Sequence, residues 1–117
     1  MQINRIHGML GFAMRAGKLV IGTEQVFIAL SKGKNVKLVV FSDGASEATA
    51  KKITSKCEFY KTKKVRIPTT PEELGRLLGK DTTPVCIGVC DVSFAKEIAL
   101  AADEVWDDPC STSSSGN

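Results

Sequence analysis

The chain has 117 residues, 43% of them hydrophobic and 25% charged, with a formal net charge of +3. That length favours one domain around one core. No apolar run approaches the roughly 18–20 residues needed to cross a bilayer, and the start of the chain carries Arg5 and Arg15 among glycines with no secretory cleavage pattern; this excludes a membrane span and a signal peptide and leaves a cytoplasmic protein as the expectation.

In chain order, Ile3 to Ala16 sets Ile3, Ile6, Leu10 and Ala13 on one helical stripe, and Gly17 stops that helix where a left-handed residue is wanted. "KLVI" reads as a short strand ended by Gly22. Thr23 is placed to cap a helix from Glu24 to about Lys32, with Glu24 in the first turn, where a carboxylate suits the macrodipole. Gly33 ends it. "KLVVFS" is an unbroken apolar run, the pattern of a strand buried on both faces. Ser46 opens a polar, Lys-rich helix to about Cys57, and "KVRIP" is a strand stopped by Pro68. "TTPEELGRLLG" has Thr70 as cap, Pro71 in first position and Glu72 and Glu73 behind it, and Gly79 at its end. "VCIGV" is another continuous strand, and Ser93 is read as the start of a last helix. The tail, residues 107–117, is polar and expected to be disordered.

Helices alternate with strands of about five residues, and the connections are short. The expected fold class is therefore α/β: a three-layer α/β/α sandwich on a mostly parallel or mixed sheet.

The modest net charge conceals a segregation. Residues 1–66 hold thirteen Lys/Arg against four Asp/Glu, and residues 67–117 hold three against nine. Clustered positive charge is what a polyanionic partner requires. For Lys51, Lys52 and Lys56, on the polar helix, a solvated face is the simpler reading. Of the four cysteines only Cys86 and Cys90 are close in sequence. On a strand they lie about 13 Å apart on one face, too far for one metal or one disulfide. Buried, inert thiols are expected, and no metal.

No catalytic set assembles. "GFAMRAGK" imitates a phosphate-binding loop, but Gly11 and Gly17 enclose five residues, Leu19 stands where a magnesium-binding hydroxyl belongs, and the segment closes a helix. "FSDGASEAT" offers Ser42, Asp43 and Ser46, yet the only histidine, His7, lies on the first helix. Turn and cap roles explain Asp43 and Ser46 better. Glu72 and Glu73 point about 100° apart on a helix, so they do not converge on one substrate. A binding module without catalysis is expected.

The junction "VIGTEQ" is more informative. A glycine between strand and helix exposes free backbone N–H groups at the positive end of the helix, and its lack of a side chain lets an anion approach. In sequence, Arg15, Lys18, Lys32, Lys34 and Lys37 all lie within about a dozen residues of it. Glu24 and Gln25 can read base edges, one as an acceptor and the other as both donor and acceptor.

With "RAGKLVIGTEQV", "KGKNVKLVVFSDGAS", "LGRLLG" and "PVCIGV" in this order and spacing, the chain resembles the ribosomal 7Ae/30e superfamily of kink-turn RNA-binding proteins, particularly its bacterial YlxQ-type members. The likeness runs from about Met9 to Leu100. It implies a four-stranded mixed sheet, no enzymatic activity and no cofactor. It also implies a structured RNA partner, a kink-turn or ribosomal RNA, within a ribosome or other ribonucleoprotein, and a monomer built on one RNA-binding domain of residues 1–106. In that family the glycine corner and the next helix enter the kinked RNA at its sheared G·A pairs. Gly22 and Thr23 match the corner, and Glu24 and Gln25 occupy places where Asn and Glu are common. Ile28 stands where a Lys is usual, and Lys32 matches a basic position. Thr82, Thr83, Pro84 and Val85 match a loop that covers extruded bases; Lys18 adds charge beside the corner. Val20 and Ile21 replace basic residues of many relatives, which implies weaker phosphate binding. The alternative reading is a protein–protein adaptor that kept the fold, in which Val20, Ile21 and Ile28 make the corner an apolar patch.

Overall fold

The structure, a computed structural model, describes residues 1–33, 36–79, 81, 83–104 and 106. Among these, helices and strands alternate as α1 (Ile3–Arg15), β1 (Leu19–Ile21), α2 (Thr23–Ser31), β2 (Leu38–Ser42), α3 (Glu47–Phe59), β3 (Lys63–Ile67), α4 (Pro71–Leu77), β4 (Cys86–Val89) and α5 (Val92–Ala101). The strands make one sheet in the order β1-β4-β2-β3. β2 and β3 run parallel, as a crossover through α3 requires, while β4 runs antiparallel to both its neighbours. The expected mixed four-stranded sandwich is what the chain forms. The reading of residues 107–117 as a disordered tail falls outside the described residues.

Two apolar layers hold the sheet. Leu38, Val40, Val65, Ile67, Ile87 and Val89 face one core with α1, α4 and α5. Val39, Phe41 and Cys86 face the other with Val26 and Leu30 of α2 and Ile53 of α3. β2 and β4 are buried along their whole lengths, which is why their sequences are unbroken apolar runs rather than alternating ones. Gly88 interrupts β4 for a packing reason. A Cβ there would stand 3.2 Å from Val36 Cγ1 and 3.5 Å from Val26 Cγ2, so Val36 would have to yield by a few tenths of an ångström to admit it.

Local signals place most helix ends. Gly17, Gly33 and Gly79 have φ near +70° and follow the caps of α1, α2 and α4, the left-handed position that favours glycine. Ser46 Oγ accepts from Thr49 N–H at 3.2 Å. Two starts differ from the sequence reading. α5 begins at Val92, because the Asp91 carboxylate accepts from both Ser93 and Phe94 N–H groups and extends the helix upstream. The cap of α2 is Gly22, not Thr23.

At α4 the expected signature becomes a full capping box. Thr70 Oγ1 accepts from Glu73 N–H at 3.1 Å, and the Glu73 carboxylate accepts from Thr70 N–H at 3.2 Å. The backbone N–H of Thr70, and then its hydroxyl, hold the Glu73 carboxyl below its ordinary value of 4.5. A depressed carboxyl contributes stability that is full above its unfolded pKa and is lost as pH falls through the folded one. Glu73→Ala, which removes the titrating partner, should therefore lower the urea midpoint at neutral pH. Midpoints of variant and parent should approach each other under acid; a gap that does not change with pH would exclude the carboxylate's bonds to Thr70 as its cause.

Candidate nucleic-acid interface

Chain direction decides which residues meet. Ile21 at the end of β1 pairs with Ile87, and Phe41 near the end of β2 pairs with Cys86. The exits of β1 and β2 therefore lie beside the entry to β4. Gly22 N–H donates to the Cys86 carbonyl at 2.8 Å, and Ser42 N–H donates to the Val85 carbonyl at 2.7 Å. The glycine corner and the loop before β4 are thereby joined, although some sixty residues separate them in the chain.

Gly22 has φ +105° and ψ 143°, a region essentially reserved for glycine. This angle turns the strand directly into the helix. The Gly22 carbonyl takes the first helical bond, from Val26 N–H at 2.9 Å. Thr23 already lies inside the helix and provides no cap, so the N–H groups of Thr23, Glu24 and Gln25 have no intramolecular partner among the described residues. They are the orphan donors of a helix start, at its positive end. A Cβ built on Gly22 would meet only Gln25 Cγ, at 3.9 Å. The corner is open to a ligand.

α2 divides its side chains among three stripes. Val26, Ala29 and Leu30 are buried. Gln25 and Ile28 are exposed three residues apart on the flank away from α3, and Thr23, Glu24 and Phe27 line a groove shared with α3. Ile28 is 45% exposed. Val20 and Ile21 are half-buried and pack against opposite cores, so of the three apolar residues that the adaptor reading names only Ile28 is exposed.

The cations near the corner are not those adjacent in sequence. The Lys18 carbonyl accepts from Cys90 N–H, and Lys37 N–H donates to the Val89 carbonyl. Both lysines therefore sit at the opposite end of the strands from the corner. Lys32 caps the far end of α2, about 13 Å from the corner at the rise of a helix. Lys34 lies outside the described residues. The positive charge beside the corner comes instead from α3, whose Lys51, Lys52 and Lys56 line the groove with Thr23, Glu24 and Phe27. The sequence reading left these three as a solvated face; all three are exposed, on a groove that α3 shares with the start of α2.

In the loop before β4, Thr83 is exposed, Val85 is half-buried and Pro84 is buried. The surface offered beside the corner is therefore that of Thr83 and Val85; Thr82 lies outside the described residues.

The residues a hydrolase would need are each committed elsewhere. His7 Nε2 is 2.8 Å from Thr69 Oγ1. Ser42 Oγ donates to the Thr69 carbonyl and accepts from Gly44 N–H. Asp43 Oδ1 is 2.9 Å from Arg66 Nε, and Ser46 caps α3. Burial pushes the Cys57 thiol up to about 11 and the Cys86 thiol up to about 12, so neither supplies a thiolate at neutral pH. Among the described residues no three His, Cys, Asp or Glu side chains group to hold a metal ion.

Residues 4–99 match the model of a family described as "Ribosomal protein L7Ae/L30e/S12e/Gadd45 family". Over 95 residues, 81% of this chain and 92% of the other, the sequence is 37% identical to a Bacillus subtilis (strain 168) protein named RNA-binding protein YlxQ. An Enterococcus faecium protein of the same name is 34% identical over 89 residues, 76% of this chain and 82% of that one. Among solved structures, a Bacillus halodurans protein described as of unknown function superposes with a TM-score of 0.77 at 37% identity, covering 86% of this chain and 98% of that one. The Giardia lamblia 15.5kD RNA binding protein superposes with a TM-score of 0.71 at 13% identity over 87% of this chain and 85% of its own, a likeness of fold alone.

Proposed function

The chain belongs to the ribosomal protein L7Ae/L30e/S12e/Gadd45 family, and from that premise we propose that it binds structured RNA of the kink-turn type. The observation that carries this reading is the uncapped start of α2 behind Gly22. Three free N–H groups face outward there, with Glu24 and Gln25 exposed beside them and lysines on one side. The family is non-enzymatic, and binding through this corner needs no cofactor.

Phosphate approaches the amides where Gly22 has no side chain. The Glu24 carboxylate accepts from base N–H groups, and the Gln25 amide donates and accepts. Thr83 and Val85 supply the adjoining surface for an unstacked base. Such readout suits a kinked or bulged site, because the A-form major groove is too narrow for side chains. A ribosomal RNA stem is a target in keeping with the family description, and binding by a monomer in the cytoplasm belongs to the same proposal.

The test is a titration with a kink-turn RNA and a control whose G·A pairs are replaced, at several salt concentrations. The kink-turn RNA should bind at least about ten-fold more tightly. If about four phosphates are neutralised, log K should fall against log salt with a slope near −3 to −4. Equal affinity for both RNAs would reject kink-turn recognition, and salt-independent binding would reject phosphate contact.

A further inference from the structure

The groove between α2 and α3 adjoins the corner, and of its side chains the contacts proposed above use only Glu24. Its α2 wall is Thr23, Glu24 and Phe27, and its α3 wall carries Lys51, Lys52 and Lys56. Lys52 and Lys56 are four residues apart, so their side chains share one helix face. Like charges at that spacing oppose each other in the free helix. Among the described residues, no carboxylate forms an ion pair with any of the three lysines. Lys56 Nζ lies 5.8 Å from the centroid of the Phe27 ring, which draws this exposed ammonium toward the α2 wall of the groove.

Resting on the proposed RNA-binding role, we infer that this groove takes the sugar–phosphate backbone of the RNA strand that leaves the corner, with Lys52 and Lys56 facing neighbouring phosphates. Three features favour a nucleic-acid strand. Thr23 and Glu24 belong to both the corner and the groove, so a strand that engages one enters the other without a break. Phosphate relieves the repulsion between lysines that, among the described residues, form no ion pair with an acid. The half-buried Phe27 ring gives the sugar an apolar floor. Glu24, the one carboxylate of the wall, stands at the corner end, where bases rather than phosphates are met. Lys18 and Lys32 lie at the ends of β1 and α2 away from the corner and do not line the groove.

The full chain carrying Lys52→Ala and Lys56→Ala tests this against a Lys18→Ala, Lys32→Ala control, with the kink-turn RNA and its G·A-replaced partner over a range of salt. Each duplex phosphate lost removes about 0.9 from the slope of log K against log salt. The groove variant should flatten the slope by about 2 while leaving the preference between the two RNAs unchanged, and Arg at both positions should restore it. The control should keep the parental slope. All four lysine positions are at the surface, and circular dichroism checks that the helices persist.

An unchanged slope in the groove variant would overturn the inference, as would an equal flattening in the control. Loss of binding to a polyglutamate probe with an unaltered RNA slope would overturn it in favour of an acidic protein partner. Failure of the parent protein to distinguish the two RNAs strikes kink-turn recognition alone, because the slope difference is read on whichever RNA is bound. Failure to bind any RNA overturns both.

Discussion

A Gly22→Ala protein is expected to lose recognition of kinked RNA and to melt at a lower temperature, although nothing obstructs the added methyl group. The only atom near it would be Gln25 Cγ at 3.9 Å. The penalty comes from the backbone: with φ at +105°, an L-residue is strained by about 1–3 kcal/mol. At about 4 °C or more per kcal/mol for a small domain, the loss is visible in a melting curve. The chain has two responses. It keeps the corner and bears the strain, or it relaxes φ to a negative value and swings the Thr23, Glu24 and Gln25 amides out of register with their ligand.

The same substitution at Gly11 separates these effects from a general intolerance of alanine. Gly11 lies within α1 with an ordinary φ and open space about its Cβ position. Alanine there should stabilise by about 0.5–1 kcal/mol and leave RNA binding as it was. Thermal melts and RNA titrations of both variants decide the matter. A Gly22→Ala protein with parental affinity would mean that the corner does not receive the RNA.

The largest loss of stability is expected from Ile87→Ala. Ile87 is fully buried in the interior strand β4, between Ile21 of β1 and Val40 of β2. Removing three carbons there deletes contacts that no solvent replaces, at a cost of about 2–5 kcal/mol. Small domains have only about 5–15 kcal/mol of total stability, so the variant gives up much of its margin. Its urea midpoint should fall accordingly, whereas RNA affinity measured where the variant is still folded should change little. Ile87 faces the core opposite α2, and the Gly22 bond to Cys86 is made by backbone atoms. A loss below about 1 kcal/mol would show that the neighbours collapse to fill the space. Together the two variants dissociate function from stability: Gly22 governs mainly binding, and Ile87 only the fold.

By itself the sequence determined whatever depends on neighbours along the chain. Gly17, Gly33 and Gly79 mark helix ends because a left-handed residue is a local requirement. Thr70, Pro71 and Glu73 mark a helix start because a capping box closes within one turn. The uninterrupted apolar stretches in β2 and β4 betray strands buried on both faces. The corner was legible in part for the same reason, since every helix start leaves its first amides without intrahelical partners; that Thr23 does not cap them follows from its place inside the helix behind Gly22. Even local signals compete, however: Asp91 displaced Ser93 at the start of α5, and Gly22 displaced Thr23 at the start of α2.

Only the tertiary structure decided which charges surround the corner. Lys18 is four residues from Gly22 in sequence, yet it occupies the opposite end of β1, because an extended strand carries its two ends about 3.3 Å further apart with every residue. Lys52 is thirty residues away and faces the same groove, because α3 returns alongside α2 over the sheet. Strand order is equally non-local: β4 inserts between β1 and β2 and brings Thr83 and Val85 to the corner through hydrogen bonds that no pattern of adjacent residues encodes. Separation along a chain measures neighbourhood within a turn or a cap; beyond that, the direction of each strand and the face on which each helix packs determine which residues meet.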